Sequence, residues 1–290
     1  MKKKKKLFLL LMLAVIPLFR TGCRQDDMED IDVVVTNYPN EYITSKLYGK
    51  HANIESIYPD GVDIASYKIT SKKKDDYAKS GLFIYNGLIK KERNLALDLL
   101  DRNGDLKIID TAYSLDENES EEELWLNPSE LLMMAKNVQL GLNEYVTSTY
   151  LKKEIDKNFE SLKVTLSELD ADYREAVQDT ENKEIVVNSS NLKFLEKFGL
   201  TVYVVDDEAS DKTISDVEEL MKNGKISYIY DFKDDSLSNN SKKLLATYTN
   251  VKENSLHKID NLSDTERENN KDYVSLMKDN LTLLKEEMYQ

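Results

Sequence analysis

The stretch Thr149–Gln178, TYLKKEIDKNFESLKVTLSELDADYREAVQ, carries the longest uninterrupted helical pattern in the sequence. Charged residues fill the gaps between apolar residues that recur every third or fourth position: Leu151, Ile155, Phe159, Leu162, Leu166, Leu169, Tyr173 and Ala176. This spacing predicts one long helix with a single apolar stripe. At about 1.5 Å per residue the helix would span roughly 45 Å, more than the diameter of a small domain, so we expect it to connect two bodies. An isolated coiled coil would show the same stripe, but this one covers only about four heptads and has strand-like segments on both sides.

The composition allows two lobes of ordinary size. The chain has 290 residues, of which 40% are hydrophobic and 9% aromatic, enough to build packed cores. The net charge of −14 disfavours nucleic acid and anionic lipid headgroups as partners. One cysteine excludes an internal disulfide, and two histidines exclude a histidine-rich metal site.

Residues 1–22 have the pattern of an export signal. Five lysines precede the apolar run of residues 7–19, which is too short to span a membrane and typical of a signal-peptide core. Cys23 directly follows Gly22, which resembles the lipobox of bacterial lipoproteins, where the leader is cut before the cysteine and the thiol is diacylated. Arg20 departs from that pattern, which has an aliphatic residue at this position. We therefore expect a lipid anchor at Cys23; the alternative is an uncleaved anchor with an incidental cysteine, and both place the chain outside the cytoplasm.

The remaining chain begins with a polar, acidic segment, residues 23–30, that we expect to act as a tether. Loss of the leader would leave 34 basic against 54 acidic residues, a net charge of −20. Strand and helix patterns then alternate on both sides of the long helix. The predicted strands are residues 31–35, 54–58, 82–85, 106–109, 184–187, 201–205, 226–230 and 255–259.

The predicted helices between these strands are residues 41–48, 70–80, 89–101, 127–142, 191–198, 215–222, 238–248 and 271–288, with an acidic loop at residues 116–123. Alternation of this kind predicts an α/β fold with two lobes, each a mostly parallel sheet with flanking helices. The boundaries follow: an N-terminal lobe of residues 31–148, a linking helix of residues 149–178, and a C-terminal lobe of residues 179–290. No internal repeat is detectable in the residues themselves.

Five motifs, in order, resemble the solute-binding lipoproteins of zinc and manganese ABC transporters, the TroA/ZnuA-like family. The likeness covers essentially the whole chain after the leader, and its most distinctive element is Leu124-Trp125-Leu126-Asn127-Pro128, similar to the family's Trp-Leu-Asp-Pro motif. The others are the segments at residues 54–63, 80–88, 197–200 and 260–281. The resemblance implies a cleft between two lobes joined by one stiff helix, which would tilt slightly on ligand capture instead of closing like a hinge.

The family's metal ligands are only partly retained. The first ligand, a histidine in the family, falls on Ala65, and the second falls on Glu123. The third falls on Asn188 and the fourth on Asp260, which alone keeps the family's residue type. The resemblance therefore implies a degenerate site of Glu123, Asn188 and Asp260, with Ser66 or Asp63 as possible additions. Such an oxygen set suits manganese or another hard divalent cation better than zinc, and the alternative is that these residues face water and bind nothing.

The two histidines are not expected to be ligands. His51 follows a turn and should be solvated, and strand alternation would point the side chains of His257 and Asp260 to opposite faces. No phosphate-binding glycine loop and no Ser/His/Asp set is present, which argues against an enzyme.

The resemblance implies a monomeric, lipid-anchored protein on the extracellular face of the cell membrane that delivers a divalent cation to an ABC permease and its ATPase. Two alternatives stay open. One is a paralogue that has lost metal binding and acts as an accessory or adhesion lipoprotein, and the other is a cleft adapted to an organic solute, with tyrosines and Lys68 as contacts.

Overall fold

The computed structural model describes residues 26–115 and 121–289, with the side chains of residues 121–123 left aside. Its strands are β1 (Ile31–Val35), β2 (Ala52–Ser56), β3 (Leu82–Tyr85), β4 (Lys107–Asp110), β5 (Glu184–Val187), β6 (Thr201–Val204), β7 (Tyr228–Phe232) and β8 (Lys252–Leu256). Its α-helices are α1 (Tyr38–Tyr48), α2 (Ser71–Tyr77), α3 (Lys90–Arg102), α4 (Glu121–Leu126), α5 (Pro128–Tyr145), α6 (Thr149–Gln178), α7 (Asp211–Lys222), α8 (Asn239–Thr247), α9 (Asp264–Glu268) and α10 (Tyr273–Met288), and a 3-10 helix occupies Ser190–Phe198.

The strands form two sheets with the same topology. The first has the order β2-β1-β3-β4 and the second the order β6-β5-β7-β8. Every pairing is parallel, for example Val33 with Ile54 and Leu82, because helices return the chain to the starting edge between successive strands. The predicted fold of two parallel α/β lobes joined by one long helix is confirmed. The matching strand orders of the two sheets reveal a structural repeat that is not detectable in the sequence.

The long helix α6 is buried against both lobes. All eight residues of its apolar stripe are at most 6% exposed, and Ser148 caps its first turn by accepting a hydrogen bond from the backbone N–H of Leu151. A continuous hydrophobic core runs past it, from Ile43 and Val138 in the first lobe to Ile185 and Tyr273 in the second. Each sheet has a separate, smaller core on its other face, under α2 and α3 in the first lobe and under α7 and α8 in the second.

Several elements begin or end elsewhere than predicted. The acidic loop predicted at residues 116–123 overlaps α4, which begins at Glu121, while residues 116–120 lie outside the described residues. Strand β8 ends at Leu256 instead of Ile259, which matters for the site described below. The helix after β5 is a tighter 3-10 helix, which ends at Gly199 with φ of 100°, a backbone conformation that favours glycine.

The tether predicted at residues 23–30 is part of the folded body from Asp26 onward. Asp26 is buried, and its Oδ2 accepts hydrogen bonds from the backbone N–H of Thr147 at 2.8 Å and of Ser148 at 2.5 Å, at the start of α6. Met28 is also buried, and its carbonyl accepts a hydrogen bond from the hydroxyl of Tyr48 at 2.5 Å. Residues 1–25, and with them Cys23, lie outside the described residues. Within the described residues no helix has the length and apolar character that a membrane span requires.

His51 was predicted to be solvated, but its side chain is mostly buried. Its side chain is 14% exposed, and its Nε2 lies 3.2 Å from Oε2 of Glu154 on the long helix. Its ring also packs against Tyr48 at a centroid distance of 5.5 Å. The histidine therefore helps to attach the first lobe to α6, a role that its place after a turn did not reveal.

Replacement of Asp26 by alanine tests its role in fixing the start of the long helix. Burial opposes ionisation of Asp26, but hydrogen bonds from Met28, Ser148 and Thr147 outweigh it and lower the pKa of the carboxyl. We expect Asp26→Ala to reduce the free energy of unfolding by about 1–3 kcal/mol at pH 7, measured by urea denaturation. The loss should shrink as the pH falls through the lowered pKa, where the carboxylate takes up a proton. Asp27→Ala, at an exposed neighbour, should change stability little; equal losses in the two variants would contradict this assignment.

Asp231 should have the opposite pH dependence. It is 1% exposed on β7, its Oδ1 has no hydrogen-bond partner among the described residues, and burial raises its pKa to about 6. Because the folded state binds this proton more tightly than the unfolded state, its contribution to stability falls as the pH rises from about 4 to above 6. We expect Asp231→Asn to stabilise the protein by up to about 3 kcal/mol at pH 7.5 and hardly at all at pH 4, measured by thermal unfolding. Asp216→Asn, at an exposed aspartate, is the matched control, and a gain that did not depend on pH would count against this account.

Candidate functional site

The two lobes meet at a cleft of about 300 Å³. The first lobe contributes the loop of residues 61–64 after β2, and the second contributes residues 233–235 after β7 and residues 257–263 after β8. These segments all follow the carboxyl ends of parallel strands, the edge where open α/β sheets bind ligands. The cleft is therefore the natural candidate for a solute site.

The segment after β8 crosses from the second lobe to the first. The indole N–H of Trp125 donates to the carbonyl of Lys258 at 2.9 Å, and the backbone N–H of Tyr38 donates to the carbonyl of Asp260 at 3.0 Å. Between these two contacts Ile259 is buried with φ of 60°, the left-handed region that β-branched residues rarely adopt. The surrounding contacts hold this strained residue in place, and together they fix the direction in which Asp260 leaves the main chain.

Arg267 on α9 connects the two lobes beside the cleft. Its guanidinium donates to Glu41 at 2.6 and 3.2 Å and to Asp60 at 2.7 and 2.9 Å, and both carboxylates belong to the first lobe. These hydrogen bonds, to Asp60 first and then to Glu41, raise the pKa of Arg267 above its ordinary value. Two paired bidentate contacts of this kind are stronger and more directional than single surface ion pairs. The second lobe is thereby tied to the first beside the cleft.

The cleft contains charges of both signs. Asp260 lines it together with Asp63 from the first lobe and Asp235 from the second, and two lysines, Lys233 and Lys258, lie among these acids. Burial raises the pKa of the nearby Tyr58 hydroxyl, and the charges of Glu92 and Asp260 raise it further. The net acidity of the cleft favours a cationic solute, while the lysines oppose one.

His257 and Asp260 both line the cleft. Strand alternation does not set the directions of their side chains, because β8 ends at Leu256, before both residues. The Nδ1 of His257 lies 3.0 Å from Oε1 of Glu266, the residue that forms the capping box of α9 with Ser263. The histidine thus helps to hold the start of α9.

Asn188, the family-equivalent third ligand, does not line the cleft. It is 8% exposed, and its amide oxygen accepts hydrogen bonds from the backbone N–H of Ser238 and the hydroxyl of Ser241, both at 2.8 Å. A carbonyl oxygen has two lone pairs, so both are engaged at the start of α8. To bind a cation, Asn188 would have to give up at least one of these hydrogen bonds.

The first lobe has a corresponding polar contact at Glu92 on α3, which the sequence analysis missed. The buried carboxylate of Glu92 accepts hydrogen bonds from the Thr36 hydroxyl, from the Asn37 amide at 3.1 Å and from the backbone N–H of Asn86 at 2.7 Å. Glu92 thus binds the segments that follow the central strands β1 and β3, and in the second lobe Asn188, after the central strand β5, is bonded to the start of α8. The signal in the sequence that could have indicated this contact is the presence of polar residues, Thr36, Asn37 and Asn86, directly after strands.

The remaining predicted site residues are not brought together in the described structure. Ala65 is exposed, its backbone N–H donates to Oδ1 of Asp63 at 2.9 Å in a tight turn, and its methyl side chain cannot bind a metal. Glu123 belongs to α4, but its side chain lies outside the described residues, as does Cys23. Among the side chains that are described, no three of His, Cys, Asp or Glu are grouped closely enough to hold a metal ion. The set of Glu123, Asn188 and Asp260 stays a prediction.

Replacement of Asn188 separates its structural contacts from a role in binding. Because both lone pairs of its amide oxygen are engaged inside the second lobe, we expect Asn188→Ala to lower the free energy of unfolding by about 1–3 kcal/mol. Urea denaturation measures this loss, and Asn191→Ala in the adjacent 3-10 helix provides the comparison. Affinity for any bound cation should stay within about threefold, which a titration of the folded variant would show. A large loss of affinity with unchanged stability would restore Asn188 as a ligand.

Residues 33–287 match the family model described as zinc-uptake complex component A, periplasmic, abbreviated ZnuA. The zinc-binding lipoprotein AdcA of Streptococcus pneumoniae (strain ATCC BAA-255 / R6) is 23% identical over 304 residues, which cover 96% of this chain and 60% of AdcA. The high-affinity zinc uptake system protein ZnuA of Bacillus subtilis (strain 168) is 21% identical over 292 residues, which cover 92% of this chain and 90% of that protein. The chain thus spans about three fifths of AdcA and most of the Bacillus protein.

Solved structures share the fold. The Zn(II)-bound ZnuA-like domain of Streptococcus pneumoniae AdcA matches with a TM-score of 0.72 at 23% identity, over 90% of this chain and 100% of that chain. The metal-dependent lipoprotein YcdH of Bacillus subtilis matches with a TM-score of 0.73 at 20% identity, with the same coverage. The laminin binding protein Lmb of Streptococcus agalactiae, described as bifunctional with adhesin and metal transporting activity, matches with a TM-score of 0.71 at 17% identity, over 89% of this chain and 99% of that chain. The resemblance predicted from the five motifs is confirmed, and the chain belongs to the ZnuA family of zinc-uptake complex components.

Proposed function

We propose that the protein is the solute-binding component of a metal-type ABC importer and that it captures a divalent cation in the cleft between its lobes. The observation that supports this most directly is Asp260, a carboxylate of the family's type that lines the inter-lobe cleft of a chain belonging to this family. A permease and its ATPase would be the partners. The protein would act as a monomer on the extracellular face of the membrane, anchored through Cys23, and no enzymatic step is needed for this role.

The donor groups favour a hard cation over zinc, although the relatives named above are zinc proteins. Zinc sites in proteins are built mainly from cysteine and histidine, and here Ala65 and Asn188 occupy two of the family's ligand positions. Asp260, Asp63 and Asp235 can supply only oxygen, as can Glu123, and His257, the imidazole that lines the cleft, is engaged with Glu266 at 3.0 Å through its Nδ1. Oxygen ligands suit manganese, magnesium and calcium, so we propose one of these, with manganese first.

Capture would require small movements. The lobes share one core along α6, and Arg267 ties them together beside the cleft. Opening of the whole cleft would break both the core and these ion pairs. Cation binding would instead draw in the loop of residues 61–64 and the side chains around Asp260, which is a local rearrangement and not a hinge closure.

Calorimetric titration of the soluble form that begins after Cys23 tests this function. We expect binding of manganese, magnesium or calcium that is tighter than that of zinc, and at least a tenfold loss of affinity in Asp260→Ala, because a charged oxygen ligand is removed. Asp264→Ala, at an exposed residue on α9, should bind as the unaltered protein does. Absence of binding by all four cations at millimolar concentration would rule out metal capture.

The second candidate function is that of an accessory or adhesion lipoprotein with the same fold and no cargo. Two observations favour it: Ala65 has replaced a ligand, and the amide oxygen of Asn188 is engaged inside the second lobe. The same titration separates the two functions, because this candidate requires that no cation stabilises the folded protein.

A further inference from the structure

Metal capture does not explain the two lysines that line the cleft, Lys233 and Lys258, and of these Lys258 has a carboxylate of the cleft within 4 Å. Its side chain lines the cleft and is 26% exposed, and its Nζ lies 3.8 Å from Oδ1 of Asp235 on the second lobe. Asp63 on the first lobe lines the same cleft as Lys258. Hydrogen bonds from Ser66 and Ala65 lower the pKa of Asp63 most, and the charge of Lys258 adds to them. One ammonium group therefore acts on carboxylates of both lobes.

The backbone of Lys258 is held on both sides. Its carbonyl accepts the indole N–H of Trp125 at 2.9 Å, Ile259 follows in the left-handed conformation, and Asp260 is bonded through its carbonyl to Tyr38. Movement of the main chain cannot take the ammonium out of the cleft without breaking these contacts. Only rotation of the lysine side chain can move it away from the carboxylates.

We propose that Lys258 is an internal counter-cation of the cleft, whose ammonium group neutralises the carboxylates of both lobes and has to be displaced before a divalent cation binds. This inference rests on the proposed function and adds a residue that sets its affinity and selectivity. A unit charge about 5 Å from a divalent ion, even at the dielectric constant of water, corresponds to roughly a tenfold change in the binding constant. Lys258 would thus lower the affinity of the site for divalent cations, so that only a cation at high local concentration would occupy it.

Lys233 provides the matched comparison within the cleft. It also lines the cleft, but its charge acts on Glu266. Burial opposes ionisation of Glu266, but hydrogen bonds from Ser263, and after them the charges of His257 and Lys233, outweigh it and lower the pKa of the carboxyl. It follows β7, whereas Lys258 precedes Asp260 by two residues. A general effect of positive charge would appear at both lysines, and the proposed effect only at Lys258.

The test is a titration of Lys258→Met, Lys233→Met and Lys243→Met with the chlorides of manganese, magnesium, calcium and zinc. Methionine keeps most of the length of the side chain and removes the charge, and Lys243 is exposed on α8, away from the cleft. We expect Lys258→Met to lower the dissociation constant at least about tenfold, Lys233→Met to lower it less than threefold, and Lys243→Met to leave it unchanged. Equal gains in Lys258→Met and Lys233→Met, or no gain in Lys258→Met, would overturn the inference.

The outcomes distinguish this inference from the proposed function. Binding by the unaltered protein with no gain in Lys258→Met leaves metal capture standing and removes the role of Lys258. Binding by Lys258→Met alone supports the counter-cation and shows that the unaltered cleft is blocked. If no variant binds any cation, metal capture fails, and the counter-cation is judged by a readout that needs no metal.

That readout is a double-mutant cycle between Lys258 and Asp235, measured as the midpoints of urea unfolding without metal. If the ammonium group of Lys258 balances the carboxylate of Asp235, Lys258→Met should lower the midpoint, and this loss should be at least halved in the Asp235→Asn background. Lys243→Met should show no such coupling to Asp235→Asn. A loss in Lys258→Met that is equal in both backgrounds would overturn the inference.

Discussion

The structure depends on one shared hydrophobic core along α6. The eight stripe residues are buried, and the residues packed on them come from both lobes, so the two sheets cannot separate without exposing apolar surface along the whole helix. Burial of this kind is worth roughly 25 cal/mol for each Å² of apolar surface. The lobes therefore form one mechanical unit, and solute exchange must occur through loops and side chains at the strand ends.

The most constrained of these segments is the crossing after β8. It leaves the second sheet, bonds to Trp125 and Tyr38 of the first lobe, and passes through the strained residue Ile259 on the way to Asp260. Strain of this kind persists only where the surroundings hold it, and here they are contacts from the opposite lobe. The position of Asp260, the predicted ligand that keeps the family's residue type, is thus determined by the contact between the lobes and not by the second sheet.

The sequence predicted the fold well because its signals are local and periodic. The stripe of α6 and the alternation of strands and helices arise from burial, which leaves its mark at spacings of two and of three to four residues. The geometry of the site could not be predicted in this way, because it depends on contacts between residues distant in sequence. Asn188 appeared to be a ligand by position, yet Ser238 and Ser241 engage its oxygen, and nothing near Lys258 in the sequence indicates its approach to Asp235. His51 and Asp26 were likewise misjudged because their partners, Glu154 and Thr147, lie about a hundred residues away.

The burial of Asp26 at the start of α6 also limits how far the body can move from a surface. Two residues separate Cys23 from Asp26, and the three peptide units between their Cα atoms reach about 10 Å when extended. A lipid anchor at Cys23 would keep this end of the molecule next to the headgroups, where the body could rotate but could not move away from the membrane surface. Diffusion would then be confined to the plane of the membrane, and encounters with a membrane protein would depend on the tilt of the folded body relative to that plane.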